Sequence, residues 1–167
     1  MASLKKNIVA NIIGKFWSAA VVLLLIPLYI RYLGIESYGL IGFYGTLIGS
    51  MAILDLGLST TLNRELARYK GANIAVGDIR NLTFSLECIY WGIGLFISLI
   101  IILLAGPIAS NWVNAENLSF SVVKQSIIYM GIVIAFQWPI SMYGGGLTGL
   151  EKQVLNNTIN VIMSTLR

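Results

Sequence analysis

Four charged side chains have the types and positions to do chemistry: Lys15 and Asp55 inside long apolar runs, Arg31 at the end of one run and Arg64 just beyond the next. A charge at the centre of a bilayer costs about 2.5 to 3.5 kcal/mol by insertion scales, so each intramembrane charge is by default a functional candidate with a partner to be named. Guanidinium suits phosphate through bidentate hydrogen bonding, and a carboxylate can couple an ion or set the charge of a nearby cation. Covalent chemistry is a poor match. The chain has no histidine and a single cysteine, Cys88, which excludes His-ligated metals, Ser-His and Cys-His catalysis, disulfide frameworks and Cys-rich zinc sites. The connecting loops carry no paired-carboxylate or metal-binding motif, so no enzyme activity, metal or cofactor is expected.

The elements that hold these residues follow from composition. Of 167 residues 57% are hydrophobic and 11% charged, against about 25% charged in soluble domains, and the mean hydropathy is +0.81. So few charges cannot cover the exterior of a soluble protein, and the exterior must face lipid. The fold class is therefore all-α: a polytopic membrane helix bundle. Spans are expected at about 8–33, 38–62, 84–105 and 126–147, with a fifth run at 155–167 too short to cross about 30 Å of hydrocarbon. That short run reads as the start of a further helix, and residues 1–167 as the N-terminal part of a larger bundle. Lys5 and Lys6 precede an apolar stretch as in a secretory signal, but no small-x-small cleavage site follows, which favours a retained signal anchor. The short link from Gly34 to Ser37 predicts an antiparallel hairpin of the first two helices.

Basic residues set orientation. Lys5, Lys6, Lys15, Arg64, Arg68, Lys70, Arg80 and Lys152 fall on one side, against Arg31 and Lys124 on the other, which places the N-terminus in the cytoplasm. Residues 63–83 read as a solvated basic loop. Without a soluble module to present it, this loop is no nucleic-acid site. Trp112, in the outer loop, suits an interfacial anchor, while Trp17, Trp91 and Trp138 are belt or packing residues. Asn-x-Ser/Thr matches at Asn81, Asn117 and Asn156 are most simply chance.

On the second helix Gly42, Gly45, Gly49, Ala52 and Ser59 form a small-residue seam, read either as a tight helix contact or as a surface for sliding. Asp55 flanks it. Lys15 and Asp55 each lie seven residues from the cytoplasmic end of their helices, about 10 Å deep, so an ion pair between them is one expectation and separate access to water the other. Pro27 can bend the first helix one turn before Arg31, which either snorkels to the headgroups or faces inward to bind phosphate. Pro139 and Gly144 to Gly146 predict a kinked or loosened fourth helix, or simply its end.

The run Tyr32-Leu33-Gly34-Ile35-Glu36-Ser37-Tyr38-Gly39, then Phe43-Tyr44, Asp55-Leu56-Gly57-Leu58-Ser59, Asn63-Arg64 and Ala67-Arg68, resembles the N-terminal signature of Wzx-type polysaccharide-repeat flippases, O-antigen and capsule transporters of the multidrug/oligosaccharidyl-lipid/polysaccharide exporter superfamily. Asn11-Ile12-Ile13-Gly14 and the stretch from Tyr143 to Glu151 look similar to that family as well. The resemblance implies two helical bundles around a cavity in the bacterial inner membrane. It implies translocation of undecaprenyl-diphosphate-linked oligosaccharide repeats by alternating access, for lipopolysaccharide or capsule assembly. Partners would be the lipid-linked oligosaccharide, membrane lipids, and polysaccharide polymerase and chain-length proteins. Lys15, Arg31, Asp55 and Arg64 are then substrate-path candidates, and Pro27, Gly45, Gly49, Pro139 and Gly145 hinge or packing candidates. A cation or drug antiporter and a non-transporting scaffold of polysaccharide assembly are the alternative readings.

Overall fold

The computed structural model describes residues 2–71, 76–113 and 115–166; the side chains of Lys5, Lys6 and Lys70, counted above, lie outside the described residues. Among the described residues six helices follow one another: α1 Ala2–Leu33, α2 Ile35–Leu54, α3 Leu58–Gly71, α4 Val76–Asn111, α5 Phe120–Gly149 and α6 Gln153–Leu166. Among the described residues four segments are long and apolar enough to cross a membrane: Asn11–Leu33, Ile35–Leu54, Val76–Asn111 and Phe120–Gly149. The all-α membrane bundle stands.

Packing begins with α4 and α5, which run antiparallel at close range because glycine removes the side chain at two crossings. A Cβ at Gly94 would lie 3.1 Å from the Ala135 carbonyl, and one at Gly131 3.3 Å from the Ser98 carbonyl. Near one end Ile101, Ala105, Val123 and Ile127 are buried together with Leu40 of α2. Toward the other, Leu86, Tyr90, Trp138 and Met142 are buried with Leu62 and Leu66 of α3. The α1 helix packs chiefly along α6 and less on α2, so the expected hairpin partner is its minor one. Asn157 donates to Asn11 at 2.6 Å and Trp17 donates to Thr165 at 3.0 Å. Contacts rise in step along both helices, which makes α1 and α6 parallel.

Two expectations are corrected. The second span does not run to Leu62: α2 stops at Leu54, and Leu56 and Gly57 take positive φ angles of 47° and 83°. The chain turns and restarts as α3. Residues 63–83 are accordingly not a loop over most of their length. Leu58, Leu62 and Leu66 recur every fourth residue and form an apolar stripe, while Arg64 and Arg68 stay exposed on α3, the pattern of an amphipathic helix. The small-residue seam of α2 stays open among the described residues: a Cβ at Gly42, Gly45 or Gly49 would meet no atom within 4 Å. Larger residues on another face, Leu40, Phe43, Tyr44, Leu47 and Met51, make the packing contacts of α2 instead.

The fourth span, α5, is an uninterrupted helix through Pro139 and the glycine triplet. Its glycines admit α3. A Cβ at Gly145 would sit 2.6 Å from the Ser59 carbonyl, and one at Gly149 would collide with the carbonyl of Asn63. At the far end of the bundle, Gly34 alone joins α1 to α2, with φ of 82°, a conformation that glycine adopts without the steric penalty of a Cβ. In the first turn of α2, the Glu36 carboxylate accepts the backbone N–H groups of Asn117 at 2.9 Å and Leu118 at 3.1 Å, and the Asn117 side-chain amide at 2.6 Å. This ties the α1–α2 turn to the α4–α5 loop.

If close approach of α3 rests on these glycines, Gly149→Ala should lower the unfolding free energy in detergent by about 1 to 3 kcal/mol. Gly45→Ala should be neutral or raise it by up to about 1 kcal/mol. Thermal unfolding of the two purified variants checks the contrast.

Candidate functional site

The break between α2 and α3 makes the site. Where α2 ends, the last carbonyls and the first N–H groups of α3 lose their intrahelical partners. Asp55 supplies one replacement: its Oδ2 accepts the Ser59 hydroxyl at 2.7 Å and the Ser59 N–H at 3.3 Å, placing negative charge at the N-terminus of α3. Its Oδ1 accepts the hydroxyl of Tyr90 from α4. Each residue of Asp-Leu-Gly-Leu-Ser thus has a local task. Asp55 holds the turn, Leu56 and Gly57 take the positive φ angles, Leu58 starts the apolar stripe and Ser59 completes the cap.

Tyr90 is fully buried, and its ring lies against Trp138 with centroids 5.9 Å apart. Beside this pair a cavity of about 410 Å³ opens between α2, α3 and α5. Asp55, Ser59, Gln137, Trp138 and Ser141 give it polar groups, and Ile48, Met51, Ile134 and Ile140 give it apolar ones. Gln137 is oriented from the other side, its amide oxygen accepting the Tyr44 hydroxyl. The indole Nε1 of Trp138 is buried without a hydrogen-bond partner among the described residues. A buried, unmatched donor carries a desolvation cost of about 1 to 3 kcal/mol.

The sequence-selected residues separate. Only Asp55 reaches the cavity wall. Lys15, Arg31 and Arg64 are all exposed, and among the described residues the one ion pair is Arg68 with Glu65 at 3.2 Å. The Lys15 to Asp55 pair is therefore not formed. Its premise was a second helix continuous to Leu62, and the turn at Leu56 and Gly57 removes that geometry, leaving Tyr90 and Ser59 as the partners of the carboxylate. Arg31 occupies the last turn of α1, where a cation complements the helix dipole. Pro27 is exposed, Pro139 buried, and Gly145 lies at the α3 contact. Tyr90, Gln137 and Ser141 escaped the sequence reading of the site; their only signal is a polar group inside an apolar run. Among the described residues no group of three or more His, Cys, Asp or Glu side chains could hold a metal.

Asp55→Ala should leave the buried Tyr90 hydroxyl without an acceptor and cost about 1 to 3 kcal/mol. Asp55→Asn, which keeps an acceptor oxygen, should cost less. Chemical unfolding of both variants measures the order, and equal losses would contradict it.

A family model described as polysaccharide biosynthesis protein matches residues 4–166, nearly the whole chain. No curated protein and no solved structure matches it. A membrane bundle with a polar cavity beside a broken helix, matched by this model from end to end, belongs to the polysaccharide biosynthesis protein family.

Proposed function

We propose that this chain forms part of the pathway by which undecaprenyl-diphosphate-linked oligosaccharide repeats cross the bacterial inner membrane during surface polysaccharide assembly, a flippase acting by alternating access. One observation carries the reading beyond the family: an apolar bundle keeps a carboxylate, an amide and hydroxyls together on one cavity wall, at a helix break. Polar groups at membrane depth are costly unless they serve a path or a pairing, and discontinuous helices are where transporters place substrate contacts. A lipid-linked glycan needs such a wall for its sugars while its tail stays in the bilayer.

The diphosphate needs cations, and Lys15, Arg31 and Arg64 are exposed and free of ion pairs among the described residues. Arg31 is the first choice, because guanidinium grips phosphate through two parallel hydrogen bonds. The N-terminus lies in the cytoplasm on the distribution of basic residues. The polymerase and chain-length proteins are the natural neighbours of such a flippase.

Deleting the gene should cause lipid-linked repeats to accumulate on the cytoplasmic leaflet, with surface polysaccharide restored by the wild-type gene. Loss of one charge-assisted phosphate contact corresponds to about a tenfold to hundredfold drop, so Arg31→Ala should restore export far less well at equal protein level. Unchanged lipid-linked pools in the deletion strain would overturn the reading.

A further inference from the structure

A second polar cluster lies on the far side of the α4–α5 pair from the cavity. The hydroxyl of Tyr143 on α5 donates to Oε1 of Glu87 on α4. Tyr143 is two residues, and so about 160° around the helix, from the cavity residue Ser141. One turn along α4 from Glu87, the Trp91 ring meets Phe136 edge to face with centroids 5.9 Å apart. Tyr143 and Phe136 are exposed, and Glu87 and Trp91 half-buried. The apolar run at 84–105 begins three residues before Glu87, and the run at 126–147 ends four residues after Tyr143. The pair therefore sits about 5 Å inside the hydrocarbon edge, at the depth of an aromatic belt. We infer that this cluster is a headgroup site for an ethanolamine phospholipid, whose primary ammonium rests on the Glu87 carboxylate beside the Trp91 ring.

Charge and hydrogen bonding select that lipid. Among the described residues Glu87 makes no ion pair, and its Oε2 accepts no hydrogen bond. Arg80, on the same face of α4, stands seven residues away, about 10 Å along the axis. A carboxylate at the edge of the hydrocarbon calls for a cation. Too few metal-ligating side chains gather among the described residues to hold a metal ion there. A primary ammonium brings three N–H donors, enough for the free Glu87 oxygen and for a lone pair of the Tyr143 hydroxyl, and its charge is drawn to the face of an indole. The trimethylammonium of a choline lipid carries the charge without the donors. A glycerol headgroup has no cation, and a serine headgroup adds a carboxylate that Glu87 repels. The exposed rings of Phe84 and Phe136 offer apolar surface to the acyl chains.

The test offers the full chain, purified in mild detergent and freed of native lipid, equal amounts of dioleoyl phosphatidylethanolamine, phosphatidylcholine and phosphatidylglycerol. Mass spectrometry of the intact complex then counts the lipids retained. The expected result is preferential retention of the ethanolamine lipid. Glu87→Gln, which still accepts the Tyr143 hydroxyl, should lower retention of that lipid about two- to fivefold, the size of a partly exposed ion pair, and leave the other two unchanged. Glu65→Gln, at a carboxylate of α3 outside the cluster, should change nothing. Should Glu87→Gln fail to fold, Trp91→Leu removes the ring and should narrow the same preference. Equal or greater retention of either other lipid would overturn the proposal. So would retention of the ethanolamine lipid untouched by Glu87→Gln, which would leave Glu87 simply hydrated at the membrane edge. Soluble phosphoethanolamine should not displace the bound lipid; displacement would make the cluster a site for a free amine and overturn the lipid assignment.

Discussion

The carboxylate of Asp55 is the contact on which the arrangement of this bundle turns. It ends α2, caps α3 through Ser59 and fixes both to α4 through Tyr90. Without a group able to accept three donors at that point, the chain would leave backbone and side-chain donors unmatched in an apolar surrounding, where each costs several kcal/mol. With it, α3 is turned to lie parallel to α5, and the glycines at 145 and 149 let it come close enough to bury Leu62 and Leu66. The cavity is what remains beside that contact. Its floor of polar groups is thus a product of the break.

Much of this was readable in the amino-acid sequence because lipid imposes simple rules. Helices of about 20 apolar residues announce themselves, and residues 8–33, 84–105 and 126–147 lie within α1, α4 and α5. Asp55 could be singled out by burial cost alone. What hydropathy does not carry is the continuity of a helix. Residues 55–62 stay apolar enough to extend the second span, and the turn depends on Leu56 and Gly57 accepting positive φ, which neither composition nor periodicity reports. That one missed turn explains the Lys15 pairing, the basic loop and the extended seam together.

Glycine leaves a related choice open in the sequence. Small residues on one face signal that a close approach is permitted, and only the fold decides which permission is used. The glycines of α2 at 42, 45 and 49 are open, while those of α4 and α5 at 94, 131, 145 and 149 are filled by neighbouring backbone and side chains. The polar partners Tyr90, Gln137 and Ser141 stood in plain view but were separated by long stretches of chain, and nothing local joins them to Asp55. Their meeting is a consequence of α4 and α5 crossing where glycine allows it.

Asp55 is held by Tyr90 and not by Lys15. A double-mutant cycle in chemical unfolding, pairing Asp55→Asn with Tyr90→Phe and separately with Lys15→Met, measures it directly. Contacting residues couple by about 0.5 to 3 kcal/mol, whereas independent sites add within about 0.5 kcal/mol. The account predicts coupling with Tyr90 and additivity with Lys15. Coupling with Lys15 and additivity with Tyr90 would contradict it.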